Sequence, residues 1–143
     1  MSGQPPAVGP IDHVALVVRS LELVLPRFAA WFGLEPDAPP RVITAQGVRL
    51  CFLPSGPSPA ARLELVEPVD PQTGVARFLA ARGEGLHHVC FRTPDIAEEL
   101  SWLSGAGAEL VDDVPRAGAD GRVAFVHPRA LAGVLWELLE ADS

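Results

Sequence analysis

Lysine and tyrosine are absent from this sequence, and its 143 residues include only two cysteines. The formal net charge is −7, and the basic residues, all arginine, form no stripe, which argues against a duplex nucleic acid as partner. Cys51 and Cys90 each lie in an apolar run; they are too few for a disulfide framework and are typical of small buried side chains. No apolar run approaches the ~20 residues that span a bilayer, and the N-terminus lacks the basic and apolar segments of a secretory signal. We therefore expect a cytoplasmic protein that binds neither nucleic acid nor a membrane.

The apolar residues that are present are enough for one folded domain. They make up 48% of the chain, and its length suits a single core. Capping residues and glycine stops predict helices over residues 20–32, 73–81 and 96–107. Pro26 argues that the first helix begins near residue 25 or is kinked. Alternating or β-branched runs predict strands over residues 11–18, 41–44, 48–53, 62–66, 86–92, 108–112, 122–126 and 134–140.

An internal repeat runs through these predicted elements. The segment IDHVALVV matches LHHVCFRT, and RLELVEP matches LWELLEA. His13 and Glu64 are 51 residues apart, and His88 and Glu137 are 49 residues apart. Each copy reads strand–helix–strand–strand–strand, with a histidine on its first strand and a glutamate on its last. We predict one domain over residues 1–143, with modules at 11–68 and 84–140 joined by a helical connection at 69–83.

Four residues of this repeat carry the predicted chemistry. Glu137 lies in the most apolar strand, where a carboxylate needs a cation, a hydrogen-bond network or a raised pKa. His13, Glu64 and His88 are each unremarkable alone, whereas His87 matches Asp12 and is predicted to be structural. Pseudo-twofold symmetry would bring two imidazoles and two carboxylates together. Such donors suit the first-row divalent ions Co²⁺, Ni²⁺, Mn²⁺, Fe²⁺ or Zn²⁺.

Several of these segments resemble the vicinal-oxygen-chelate superfamily, and within it the methylmalonyl-CoA epimerases. The segments are IDHVALVV, QGVRLCFLP, LELVEP, GVARFLAARGEGLHHVCF and GADGRVAFVHPRALAGVLWELLE. The resemblance implies an α+β fold, in which two βαβββ modules form a cupped mixed sheet around a metal. It implies a divalent ion, with cobalt favoured, and a homodimer. The implied metal ligands are His13, Glu64, His88 and Glu137.

The implied reaction inverts C2 of methylmalonyl-CoA by 1,1-proton transfer through a metal-stabilised enolate, with Glu137 as a catalytic base. Some epimerases place a second glutamate base where this chain has Leu50, so the second proton-transfer group stays open. Gln46 and His127 are candidates for orienting groups at the rim. An acyl-CoA substrate carries phosphates, and the candidate cations for binding it are Arg92, Arg116 and Arg122.

Two other functions remain open on the same residues. A glyoxalase-I-type lyase uses a similar metal set to move a proton next to a carbonyl, although no segment here is distinctive for a glutathione substrate. A metal-free small-molecule-binding protein of the superfamily usually lacks the metal ligands, which this sequence retains. An extradiol dioxygenase is disfavoured because such enzymes use two histidines and one carboxylate.

Overall fold

A computed structural model describes residues 3–58 and 60–142. The outermost residues of the predicted domain, 1, 2 and 143, and residue 59 lie outside it. The chain divides into two compact units, a first unit of residues 13–87 and a second unit of residues 3–12 with 88–142. The strands are β1 (Ile11–Val17), β2 (Arg41–Ile43), β3 (Val48–Pro54), β4 (Arg62–Pro68), β5 (Gly85–Arg92), β6 (Arg116–Ala117), β7 (Gly121–Val126) and β8 (Leu135–Ala141). The helices are α1 (Leu21–Phe32), α2 (Gly74–Arg82) and α3 (Ile96–Gly105).

In the first unit the strand order is β2-β3-β4-β1, with β1 parallel to β4 and the other pairs antiparallel. The α1 helix begins where the Ser20 side chain accepts a hydrogen bond from the Leu23 N–H, and it ends at Gly33, whose left-handed φ is 66°. A start near residue 25, one of the two alternatives predicted from Pro26, was wrong, because α1 begins at Leu21 and continues through the proline. The Glu67 carboxylate accepts a 2.7 Å hydrogen bond from the Leu21 N–H, so the helix start is held by β4 as well as by the cap.

In the second unit the strand order is β5-β8-β7-β6, again with one parallel pair, β5 with β8. The predicted strand at 108–112 was wrong. In this described segment a single bridge joins Leu110 to Val126. The Asp112 carboxylate accepts the Phe125 N–H at 3.0 Å, and this side-chain bond takes a donor that a strand ladder would use. The short β6 then forms beyond it.

Each unit buries its helix against one face of its own strands. Leu21 of α1 packs with Leu53 and Leu65 in the first unit, and Ile96 of α3 packs with Ala124 and Leu138 in the second. The opposite faces carry the remaining strand side chains. The predicted fold class, α+β with two βαβββ modules, is confirmed: β1-α1-β2-β3-β4 and β5-α3-β6-β7-β8 are its two copies.

The two copies agree in detail at their helix starts. In the second unit the Glu140 carboxylate accepts the Ile96 N–H at 3.0 Å, as Glu67 accepts the first N–H of α1. Each of these glutamates lies three residues after the glutamate that the repeat singles out. A glutamate at the equivalent strand position therefore holds the helix start in both copies. Among the described residues, no helix has the length and apolarity to cross a bilayer.

Candidate functional site

His13 and Glu64 form a buried pair in the first unit. Because β1 and β4 are parallel neighbours, with Ala15 opposite Glu64, the two side chains come from adjacent strands. The exposed fraction is 5% for His13 and 6% for Glu64, and the imidazole Nε2 lies 3.6 Å from the carboxylate Oε1. Phe52, opposite Glu64 on β3, sets its ring edge-to-face with the imidazole at a centroid distance of 5.5 Å. The imidazole is thus held between a carboxylate and a phenyl ring.

His88 and Glu137 form the corresponding pair in the second unit. Each is 7% exposed, and Nε2 of the imidazole lies 3.2 Å from Oε1 of the carboxylate. Phe125, opposite Glu137 on β7, packs edge-to-face on the imidazole at 5.6 Å. In both copies the phenylalanine is 12 residues before the glutamate. The repeat therefore reproduces three side chains and their geometry, in addition to the strand pattern.

The donors of each pair fit a divalent metal ion. Zn²⁺ and similar ions bind imidazole nitrogen and carboxylate oxygen at about 2.0–2.2 Å, which sets two neighbouring ligand atoms roughly 3.0–3.6 Å apart. The nitrogen–oxygen distances of 3.6 and 3.2 Å agree with this spacing. A cation is also one of the ways in which a carboxylate buried in an apolar strand can be stabilised. The buried histidine–glutamate donors suggest a divalent-metal site.

The residues predicted at the rim, and Leu50 at the position where some epimerases carry a second base, lie in different surroundings. Leu50 is 2% exposed and packs with Ala15 and Phe52 in an apolar cluster of the first unit. Gln46 ends a short 3-10 helix before Gly47. His127 caps another short helix, where its Nδ1 accepts the Arg129 N–H at 3.0 Å. Leu50 thus contributes an apolar side chain to this cluster and cannot act as a proton-transfer group.

The three predicted substrate cations also differ in their placement. Arg92 donates to the buried Asp12 carboxylate at 2.7 Å. Arg116 lies over the Phe125 ring at 5.2 Å, and its side chain is 56% exposed. Strand alternation places Arg122 on the face opposite Phe125, where it pairs with Glu140 at 2.6 Å. Of the three, only Arg116 contacts the surroundings of His88.

His87, which was predicted to be structural, and Asp12, its counterpart in the repeat, have partners within their own units. His87 packs edge-to-face on Phe78 at 4.9 Å, and Asp12 pairs with Arg92. Both cysteines are buried thiols that form no disulfide. Burial raises the pKa of the Cys51 thiol to about 11, so this side chain stays neutral and unreactive at physiological pH.

The sequence reasoning missed two residues that contact the histidines of these pairs and a third that stacks on one of the two. Phe52 and Phe125 looked like ordinary strand residues, although their shared 12-residue spacing from the glutamates would have identified them. Arg62 lies two residues before Glu64, and its guanidinium carbon is 3.9 Å from the centroid of the Phe52 ring. Nothing in the repeat predicts Arg62, because the corresponding residue of the other copy is Leu135.

Comparisons with known proteins agree with this geometry. Residues 12–125 match the glyoxalase/bleomycin resistance protein/dioxygenase superfamily. The chain is 34% identical to the uncharacterized protein YqjC of Bacillus subtilis, covering 91% of each protein. It is 32% identical to an ethylmalonyl-CoA/methylmalonyl-CoA epimerase of Cereibacter sphaeroides, covering 92% of this chain and 97% of that protein.

A solved structure is similar over nearly the whole chain. It is a variant of the Streptomyces coelicolor methylmalonyl-CoA epimerase in complex with 2-nitronate-propionyl-CoA, with a TM-score of 0.89 and 31% identity, covering 96% of this chain and 97% of that one. The sequence match, the paired βαβββ modules and the repeated histidine–glutamate pairs lead to one assignment. The chain belongs to the glyoxalase/bleomycin resistance protein/dioxygenase superfamily, in the group that contains the methylmalonyl-CoA epimerases.

Proposed function

We propose that this protein is a methylmalonyl-CoA epimerase, an isomerase that inverts C2 of its substrate by 1,1-proton transfer. The observation that carries the proposal is the pair of buried histidine–glutamate sets at equivalent positions of the repeat. The similarity to acyl-CoA epimerases over more than 90% of the chain supports it. A small acyl thioester whose C2 proton is acidified by two carbonyl groups is the corresponding substrate.

We propose further that His13, Glu64, His88 and Glu137 together hold one divalent cation. Each pair alone offers one nitrogen and one oxygen, which is too few donors for a protein metal site. Four protein donors would leave part of the coordination sphere of such an ion open to the substrate. When bound, the cation would stabilise the negative charge that develops on the thioester oxygen as the C2 proton leaves. Cobalt is the favoured ion, and zinc, nickel and manganese suit the same donors.

The remaining residues of the site follow from their surroundings. Glu137 is the proposed proton-transfer group at C2, because it is a buried carboxylate beside an imidazole. Leu50 is proposed to exclude water from its part of the site. Because leucine cannot transfer a proton, the second proton-transfer group stays unassigned. Gln46 and His127 are proposed to orient groups at the rim.

Other features of the proposal concern the substrate and the assembly. Arg116 is the best-placed of the predicted cations for an acyl-CoA anion, since its exposed guanidinium lies over Phe125. All three arginines pair with an acidic residue, Arg92 with Asp12, Arg122 with Glu140 and Arg116 with Asp112 at 3.5 Å, so the contact with Phe125 is what distinguishes Arg116. We also propose that the protein is a single cytoplasmic domain over residues 1–143 and that it forms a homodimer. The homodimer is proposed because short edge strands such as β2 and β6 are commonly covered by a partner.

The decisive experiment is proton–deuterium exchange at C2 of methylmalonyl-CoA with metal-reconstituted protein. We expect exchange with the wild type, and its loss in Glu137→Gln. The control is Glu140→Gln, which changes a carboxylate three residues further along the same strand and should retain exchange. If the wild type gives no exchange but converts methylglyoxal and glutathione to a thioester, the glyoxalase-I-type alternative replaces the epimerase. If Glu137→Gln exchanges at the wild-type rate, the role of Glu137 is refuted.

A further inference from the structure

Arg62 is a charged residue on the face that carries the first histidine–glutamate pair. It lies two residues before Glu64 on β4, so both side chains leave the same face of the strand. In the strand register its Cα is paired with that of His13 on β1. Its side chain is 24% exposed, so part of it is reachable from solvent. Arg62 therefore places a permanent positive charge beside the proposed centre.

Two contacts fix the guanidinium in place. Its carbon lies 3.9 Å from the centroid of the Phe52 ring, and Nη1 donates to the Asp37 carboxylate at 3.1 Å. The same phenyl ring packs edge-to-face on His13. A planar group held on a ring at one face and by a carboxylate at one nitrogen has lost most of its rotamer freedom before any ligand arrives. A guanidinium preorganised in this way suits a carboxylate, with which arginine forms charge-assisted hydrogen bonds.

The fold does not require this charge. The corresponding residue of the second unit is Leu135, which also lies two residues before a glutamate and is paired in register with a histidine, His88. The second copy therefore forms the same strands around a leucine. Because the two copies share their histidine, glutamate and phenylalanine, the difference between arginine and leucine at this position points to a role in binding.

We propose that Arg62 recognises the free carboxylate of a malonyl-type acyl thioester, and so selects it over a thioester without that group. The inference rests on the proposed function, because in such a substrate the carboxylate is attached to the carbon that loses its proton. The carboxylate must therefore lie next to the reacting centre, as Arg62 does. The phosphates of the CoA moiety are separated from that carbon by the pantetheine arm, so they are not the anion expected here. Recognition by Arg62 is a binding role, separate from proton transfer.

The test compares equilibrium binding of malonyl-CoA and propionyl-CoA, which differ by this carboxylate, to the cobalt-loaded protein by calorimetry. The variant is Arg62→Met, which keeps a stem against Phe52. Arg62→Leu repeats it with the residue that the second copy tolerates. The matched control is Arg82→Met, which removes another arginine stacked on a phenylalanine, Phe78, at 5.3 Å on α2.

We expect the wild type and Arg82→Met to bind malonyl-CoA more tightly than propionyl-CoA. In both Arg62 variants, affinity for malonyl-CoA should fall about 10- to 100-fold, as for loss of a charge-assisted hydrogen-bonded pair. Affinity for propionyl-CoA should change less than about twofold. Equal losses of affinity for both esters, or no loss of affinity for malonyl-CoA, would overturn the proposal for Arg62. The proposed epimerase activity would still stand if the wild type exchanged the C2 proton. A wild type that binds neither ester would overturn both.

Discussion

Replacing Glu137 by glutamine should remove about half or more of the stabilisation that the proposed divalent metal gives this protein. The substitution keeps the shape of the side chain but removes the charge of a donor that is 7% exposed and 3.2 Å from the His88 nitrogen. Interactions with a charged group contribute about 1.5–3 kcal/mol, so metal affinity should fall roughly 10- to 100-fold. Glu64→Gln should have the same effect, because the Glu64 pair is equivalent.

The effect can be read as a thermal shift. At a free metal concentration 100 times the wild-type Kd, binding adds about 2.7 kcal/mol to the free energy of unfolding. With 100-fold weaker binding the gain is about 0.4 kcal/mol, and with 10-fold weaker binding about 1.4 kcal/mol. A domain of this size shifts by roughly 3–4 °C per kcal/mol. The metal-induced rise in Tm should therefore fall from about 8–11 °C in the wild type to about 1–6 °C in the variant.

The assay is differential scanning fluorimetry of metal-stripped protein with and without Co²⁺, so that each variant is its own reference. Glu140→Gln is the control: its carboxylate caps α3 and pairs with Arg122, so Tm should fall without metal while the metal-induced rise stays at the wild-type value. A Glu137→Gln protein that keeps the full rise would refute the assignment of Glu137 as a metal ligand.

Three further predictions concern groups away from the proposed metal. The hydrogen bond from Arg122, with that from the first N–H of α3, lowers the pKa of Glu140. A carboxyl group whose pKa is lowered by folding stabilises the fold at pH values above its pKa in the unfolded chain, and this stabilisation is lost in acid. The stability difference between wild type and Glu140→Gln, measured by urea unfolding, should therefore shrink as pH falls below about 4. Burial raises the pKa of Glu99, which is 4% exposed with an Oε1 that accepts no hydrogen bond. Glu99 therefore destabilises the fold at neutral pH. The variant Glu99→Leu should gain roughly 1 kcal/mol in stability at pH 7, which raises Tm by about 3 °C, and should gain less at pH 4. An equal rise in Tm at both pH values would contradict this role of Glu99. Cys51, with its pKa raised to about 11, should react with a thiol reagent at pH 8 only after denaturation.

The repeat made much of this fold predictable from sequence. The similar spacings of His13–Glu64 and His88–Glu137, 51 and 49 residues, predict two equivalent modules, and the structure confirms two βαβββ copies with a buried pair in each. The pattern succeeds because a glutamate inside an apolar strand is unfavourable without a partner. Its placement therefore carries information that an exposed glutamate would not.

The errors have local causes. The segment at 108–112 has the apolar run of a strand, but the Asp112 side chain takes the N–H of Phe125 that the ladder would use. The helix α1 continues through Pro26 although proline lacks the N–H that continues a helix. Cap residues at Ser20 and Gly33 fix both ends, and Leu21 is fully buried against the sheet. Tertiary packing here outweighs a local preference.

Arg62 shows what periodicity alone does not reveal. An arginine on a strand is usually a solvated charge, and only the structure shows its guanidinium over the ring that contacts His13. Phe52 and Phe125 were likewise indistinguishable from core residues until their rings were seen against the histidines. Side-chain contacts across strands depend on register, which the sequence pattern does not specify.

The central claim is that the two histidine–glutamate pairs hold one shared cation, and the number of ions bound per chain tests it most directly. Titration of metal-stripped protein with Co²⁺ in a calorimeter, checked by elemental analysis, should give one tight site per chain. That single site should be weakened both by Glu64→Gln and by Glu137→Gln. Two independent ions per chain, or a tight site that survives either substitution unchanged, would contradict the account.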